Sequence, residues 1–267
     1  MPQATQQPRQ QRDSEDASVA FRLAQAKLAR ELAVAIAELF YNVSPLWLIE
    51  NASYYAARYR ETVLDYRRRS RALARDFYEE LRRLQGVTAP MHWPDVDESA
   101  VIREVDASFL VHGPLRVNKE IAKQPSADLN DPDFVKELDR IMNDAASALA
   151  SDAMRLAENG GRQEIHDAVK NDDSAIAWYR QASSSACAFC LMLASRGAIY
   201  KTRRSAMHGW NGEEYHRNCH CQPVPIFMRG IDGDSVTETA KAMWKNGEIE
   251  VRTSRKGKKY PAFKKGQ

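Results

Sequence analysis

All four cysteines of this chain lie within 35 residues, as Cys187-Ala-Phe-Cys190 and Cys219-His-Cys221, and three of its six histidines (His208, His216, His220) share the interval. Cysteines used as ordinary small core residues would be scattered along the chain. Their gathering calls for a local cause, and soft-metal ligation is the first candidate. A Cys-x2-Cys pair lets one turn or helix end close two thiolates on a single ion, and Zn2+ is the default occupant of a tetrahedral S/N site. If residues 219–223 are extended, Cys219 and Cys221 share a face and His220 points away. His216 lies three residues before Cys219, close enough to join from the preceding turn. Five residues thus compete for four positions: Cys187, Cys190, His216, Cys219 and Cys221. The favoured set is Cys187, Cys190, Cys221 and His216, with Cys219 as the substitute. The interval of 25 residues between Cys190 and His216 is long for a minimal finger. The competing reading is a set of reduced core or redox cysteines without metal. Disulfides come third, because metal-like spacing without an apolar leader fits a reducing compartment.

Catalysis is the alternative use of these residue types. A Cys beside a His can make a thiol nucleophile, with His208 or His220 as its base. For a serine mechanism the candidates are Ser108 near His112, or the Ser183-Ser184-Ser185 run. None sits in a nucleophile motif, and the chain has neither a phosphate-cradling Gly-rich loop nor an HExxH. No catalytic residue is assigned.

The elements that must position the cysteines are mainly helical. Residues 1–16, rich in Gln, Pro and charge, read as a disordered tail. From Ser18, Phe21, Leu28, Leu32, Ile36 and Phe40 form an apolar stripe at the helical period. Asn42-Val-Ser44-Pro45 is a stop and restart, with Ser44 as N-cap and Pro45 at the first helical position. A second long helix runs from Leu46 to about Gln85, and the two form an antiparallel hairpin. Residues 87–130 read as irregular and close a helical N-terminal region of 17–130. A helix starts at Asp131-Pro132 and stops at Asn159-Gly160-Gly161, and a further helix covers Arg162 to about Ala182, with Asn171 as a candidate break. Gln222-Pro-Val-Pro-Ile-Phe227 looks extended, and Thr237–Lys245 is a short helix. The expected fold is mainly α, with a small Cys/His-rich irregular or α+β module near the C-terminus, in a domain of 131–247 followed by a basic tail of 248–267.

Composition sets further bounds. The mean hydropathy is −0.58, 28% of residues are charged, and no apolar run approaches the roughly 20 residues that span a bilayer; no membrane partner is expected. The net charge of +3 is uneven: Arg252–Gln267 holds seven Lys or Arg and no acid, which leaves −4 for the remainder. Nine arginines lie between Arg58 and Arg83, interleaved with Tyr54, Tyr55, Tyr59, Tyr66, Phe77 and Tyr78. The helix could contact a phosphate backbone, and the tail nucleic acid or an acidic protein surface. The plainer reading is an amphipathic bundle helix whose arginines pair with Glu and Asp, and a solvated tail.

Ala177-Trp178-Tyr-Arg-Gln, then Cys187-Ala-Phe-Cys190, Leu193-Ala-Ser-Arg-Gly197-Ala-Ile-Tyr200 and His216-Arg-Asn-Cys219-His-Cys221 resemble the C-terminal half of the Mu F-type phage head morphogenesis proteins. The wording is closest to their actinobacteriophage branch, whose members are commonly labelled capsid maturation proteases or minor capsid proteins. The motif match covers about residues 175–227. Arg217 stands where a Pro is common in that family, and His220 where an Arg is frequent. The resemblance implies a minor head protein acting in procapsid assembly and in DNA packaging or ejection. It further implies portal and major capsid or scaffold partners, and a place in the virion head interior after assembly in the host cytoplasm. The alternative it carries is a capsid maturation protease that cuts the scaffold or the major capsid protein.

Overall fold

The Ser44-Pro45 restart folds as its residue types dictate. In the computed structural model, which describes residues 3–125, 128–183, 186–198, 215, 219–255, 257 and 259–264, helix α1 (Gln3–Leu39) ends just before Asn42, a left-handed residue at φ 57°. Helix α2 (Pro45–Glu50) starts with Ser44 accepting from the Trp47 N–H at 3.2 Å, which satisfies one of the helix's orphan donors. Helix α3 (Ala52–Leu84) follows after Asn51. Replacing Ser44 by Ala is expected to cost about 1 kcal/mol in a denaturant titration; an unchanged midpoint would show that the cap contributes nothing.

Further along lie helices α4 (Ser99–His112), α5 (Pro114–Ile121) and α6 (Pro132–Asn171), strand β1 (Ala177–Gln181), helix α7 (Ala188–Ala194), strand β2 (Gln222–Ile226), helix α8 (Ser235–Lys245), and strands β3 (Ile249–Thr253) and β4 (Lys259–Phe263). The chain is mainly helical, with two small antiparallel sheets, β1–β2 and β3–β4. Among the described residues no helix is long and apolar enough to cross a membrane.

The chain divides into two compact units, one of residues 1–26, 71–94 and 161–267, the other of 27–70 and 95–160. The second is built on Leu32, Ile36, Leu48, Tyr59, Val63, Phe109, Ile141 and Leu149, all buried. The first has one core around Phe21, Phe77, Tyr78, Trp178 and Ile226, and another around the cysteines. In the first unit Phe21 stacks on Phe77 at 4.3 Å, and Gln85 Nε2 reaches Ser14 Oγ at 3.5 Å. α1 and α3 therefore run antiparallel there, as the hairpin expectation required.

Several expectations are corrected. The stretch taken as a disordered tail is helical from Gln3. Its buried residue is Ser14 rather than an aliphatic one, and the Ser14 carbonyl accepts from Ser18 Oγ at 2.7 Å; a polar inward position leaves no apolar stripe to read. Residues 87–130 contain α4 and α5, which bury Val105, Phe109 and Val117. Gly160-Gly161 does not stop α6. Both glycines are buried, beside fully buried Leu156 and Ile165. Each such side chain contributes about 1.5–3 kcal/mol, more than the roughly 1 kcal/mol that a helical Gly costs. The helix expected to reach Ala182 ends at Asn171, and Ala177–Gln181 is a strand, with Trp178 opposite Pro225 and Arg180 opposite Pro223. The described part of the basic tail is not a solvated coil: β3 pairs antiparallel with β4, anchored by buried Ile249 and Pro261.

The arginines of α3 follow the plainer reading. Arg58, Arg60, Arg68, Arg69 and Arg83 pair with Glu61, Asp106, Asp65, Glu31 and Glu80. Arg67 donates to the Leu156 carbonyl at 2.7 Å. Arg71 and Arg75 hold buried Glu164 at 2.7 and 2.6 Å, and Arg82 meets Asp172 at 3.1 Å.

Gly197 ends α7 in the left-handed region at φ 66°. A Cβ there would run into Asp232 Oδ1 and stand 2.7 Å from its backbone oxygen, while Asp232 accepts from the Ala198 N–H at 2.9 Å and from Lys241 of α8 at 2.5 Å. Gly197→Ala is expected to cost about 2–4 kcal/mol, from backbone strain plus the displaced Asp232. A thermal melt that does not move would show that the turn gives way freely.

Candidate metal centre

Two local structures bring the cysteines together. Cys187 is the N-cap of α7 in extended conformation (ψ 159°), and the following turn swings Cys190 into the buried interior. Cys219 and Cys221 lead into β2, whose pairing with β1 fixes their approach. Cys219 and Cys221 are buried and His220 between them is half-buried, the alternation of an extended segment. The Sγ atoms of Cys190, Cys219 and Cys221 lie within 4.8 Å of one another, all buried, with Cys190 Sγ 3.5 Å from Cys219 Sγ. Thiols 29 residues apart in the chain therefore converge. Cys187, three residues before Cys190, is exposed and is not one of the three mutually close thiols. None of the four is disulfide-bonded.

Cys219, ranked as the substitute ligand, thus sits in the middle of the group. His216, from the favoured set, lies outside the described residues, as do His208, Ser184 and Ser185. Ser183, the described member of that run, is half-buried. Ser108 and His112 do not form a nucleophile–base pair. Ser108 Oγ donates to Asp152 Oδ2 at 2.6 Å and lies 3.2 Å from the Tyr59 hydroxyl, and the His112 Nε2 is 3.9 Å from that same Asp152 oxygen. The carboxylate stands where a triad would need the imidazole.

The electrostatics of the cysteine group come from residues that sequence reasoning did not assign. Arg162 of α6 and Arg180 of β1 are each 1% exposed, and their guanidiniums lie over the Tyr215 ring at 4.2 and 4.1 Å. Arg162 Nε donates to the Cys221 carbonyl at 3.0 Å, and its Nη2 donates to the Cys219 carbonyl. One guanidinium thus fixes the backbone of both cysteines. Burial works against the Arg180 cation, but the fields of Tyr215 and of the Cys221, Cys219 and Cys190 thiols outweigh it and hold its pKa above the usual value. Hydrogen bonds from Cys190 and Cys221, followed by the two arginines, hold the Cys219 thiol well below its usual range. Burial pushes the Tyr215 hydroxyl up to about 12, so it stays neutral between the two cations. His166 completes the wall, 4.5 Å from the Trp178 ring and 3.4 Å from the Tyr215 hydroxyl.

Three buried thiols within reach of one point, one of them biased to thiolate, could hold a soft divalent ion. Zinc–sulfur bonds of about 2.3 Å in a tetrahedral site put sulfurs about 3.8 Å apart, and the 3.5 Å separation of Cys190 and Cys219 is close to that. The donor chemistry and the spacing both fit. The signal that could have pointed to the arginines was weak: Trp178-Tyr-Arg-Gln carries no periodic pattern, and Arg162 follows two glycines that read as a stop.

Comparison with known proteins adds a family. The model of a family described as "VG15 protein" matches residues 12–246. The chain is similar to the Gene 15 protein of Mycobacterium phage D29, 28% identical over 203 residues covering 64% of this chain and 66% of that one. It is also similar to the Gene 15 protein of Mycobacterium phage L5, 27% identical over 212 residues covering 65% of each. The chain spans a little under two thirds of the length of both curated relatives. No solved structure matches it.

Proposed function

The chain belongs to the VG15 protein family, and from that membership we propose that it is a phage minor head protein acting in procapsid assembly and in DNA packaging or ejection, with a C-terminal module fastened by a structural zinc site. The observation that carries this reading is the convergence of Cys190, Cys219 and Cys221 in a buried group, in a chain whose relatives come from bacteriophages. The resemblance of residues 175–227 to the Mu F-type pattern supports the head assignment, since the motif residues Trp178, Arg180 and the cysteines are the ones that build the centre. Zinc bound there supplies cross-linking of α7 to the segment before β2, where a small module has little core of its own. Arg162 holds the two cysteine carbonyls in place, and Arg180 and Tyr215 shield the group from water.

The partners are a portal protein and the major capsid or scaffold protein, and the place is the interior of the head after assembly in the host cytoplasm. Contact with packaged DNA falls to the C-terminal hairpin rather than to α3, because the arginines of α3 already have acceptors in this protein whereas Lys259 and Tyr260 of β4 are exposed. The protease reading draws no support from Ser108, whose proton is given to a buried aspartate.

Fractionating virions of a phage that carries this gene tests the proposal. The chain is expected in the head fraction at few copies, and a nonsense mutant is expected to yield fewer DNA-filled heads. Its absence from both procapsids and heads would sink the assignment. Scaffold or capsid protein left uncut in the mutant, and cut again on complementation, would revive the protease.

A further inference from the structure

We propose that the chain self-associates, with helix α5 of one copy seated in a groove between the end of α1 and the middle of α6 of the next. The groove has a volume of about 870 Å3 and lies within the second unit. Asp139, Asn143 and Ser147, four residues apart on α6, form an exposed rim, and buried Phe40 and Met142 with half-buried Ala146 form the floor. Tyr41, 76% exposed, stands at the mouth. The rim spans about 12 Å, a little over two turns of helix.

Its charge is one-sided. Asp139 and, beside the groove, Glu38 are exposed, and neither has an ion-pair partner among the described residues. Glu38 also sits in the last turn of α1, which contains no base. It therefore adds to the negative end of the helix dipole where a cation would offset it. An occupant that fits must bring an apolar side chain for the floor and a cation for the rim.

Helix α5 carries both. Leu115 is 52% exposed, and Lys119, one turn on along the same face, is exposed without an ion-pair partner among the described residues. Leu110 and Val111, at the end of α4 that leads into α5, are half-exposed as well. The eight residues of α5 are about 12 Å long, the length of the rim. In its own chain the segment leaving α5 meets the opposite side of α6: Gln124 donates to Glu137 at 3.2 Å, and Glu137 lies about 200° around the helix from Asp139. The two complementary surfaces thus face different ways. A contact between them is heterologous, and its repetition gives a ring or an open row of copies rather than a twofold dimer.

Sedimentation velocity of the full chain over a wide range of concentrations tests this, since so small a contact binds weakly on its own. The wild type is expected to form larger species as concentration rises. Lys119→Glu and Asp139→Lys each put like charges across the contact and are expected to weaken association about tenfold or more. Mixed in equal amounts, the two variants are expected to associate again, because the new acid of one then meets the new base of the other. Hydrogen exchange on the wild type at low and high concentration should show protection gained in 37–44, 114–121 and 139–150, and it decides the matter if a variant fails to fold. A wild type that stays monomeric throughout, variants that associate as the wild type does, or a mixture that does not recover would each overturn the proposal. So would a phage in which Asp139→Lys is lost from heads while Lys119→Glu enters normally, an outcome that gives the groove to a basic segment of a different protein.

Discussion

Chelating the metal from the purified chain should lower the melting temperature of the unit that contains the cysteines by about 10 °C. Structural zinc contributes on the order of 10–16 kcal/mol of apparent binding free energy in small modules. If only about a third of that is coupled to folding here, the loss is about 4 kcal/mol, and a protein of this size shifts by roughly 2–4 °C per kcal/mol. The physical reason is the state of the site without an ion. Cys190, Cys219 and Cys221 are 2–4% exposed, and a thiol is a weak hydrogen-bond donor and acceptor. Three of them packed together gain little from one another, so an ion bound as proposed would supply the strong bonds of that core. Re-adding zinc should restore the melting temperature. Identical melts with and without chelator, in a protein shown to have carried zinc beforehand, would mean that the ion holds nothing together.

The second large effect should come from Arg162→Ala, with a loss of about 3–5 kcal/mol in chemical denaturation. The side chain is 1% exposed, donates to the carbonyls of Cys219 and Cys221, and lies 4.2 Å over Tyr215. Removing it leaves two buried carbonyl oxygens without those donors, at about 1–3 kcal/mol each, and opens a void beside the ring. Arg162→Lys should recover less than half, because an ammonium is a point donor and cannot reproduce the fork that spans two carbonyls. Zinc affinity should fall along with stability, since the cysteine backbone is no longer held. A destabilisation below about 1 kcal/mol for the alanine variant would show that the carbonyls find other donors and that the arginine is not what positions the ligands.

These two effects differ in how far the sequence announces them. The cysteine spacing was readable because ligand chemistry leaves a local mark: two thiols in one turn, then two more flanking a single residue. Helix starts were readable for the same reason. Ser44-Pro45 specifies a cap and a first turn within four residues, and Asp131-Pro132 does the same for α6, with Asp131 Oδ1 accepting from the Asp133 N–H at 2.9 Å. Nothing comparable marks Arg162 or Arg180. Buried arginines are exceptions to the usual partition, and the approach of Tyr215 to both and of the cysteine carbonyls to Arg162, all distant in the chain, helps to offset the cost of their burial.

By itself, then, the sequence determined the predominantly helical character, the α1–α3 hairpin, the extended run at 222–226 and the residues competing to be ligands, because each rests on patterns a few residues long. The tertiary structure alone decided that Gly160-Gly161 stays helical, that Ala177–Gln181 is a strand, that Ile249–Thr253 pairs with Lys259–Phe263, and that Cys219 belongs inside the thiol group. In each case the deciding free energy comes from burial or pairing with a segment tens of residues away. Local propensities of about 1 kcal/mol yield to such contacts.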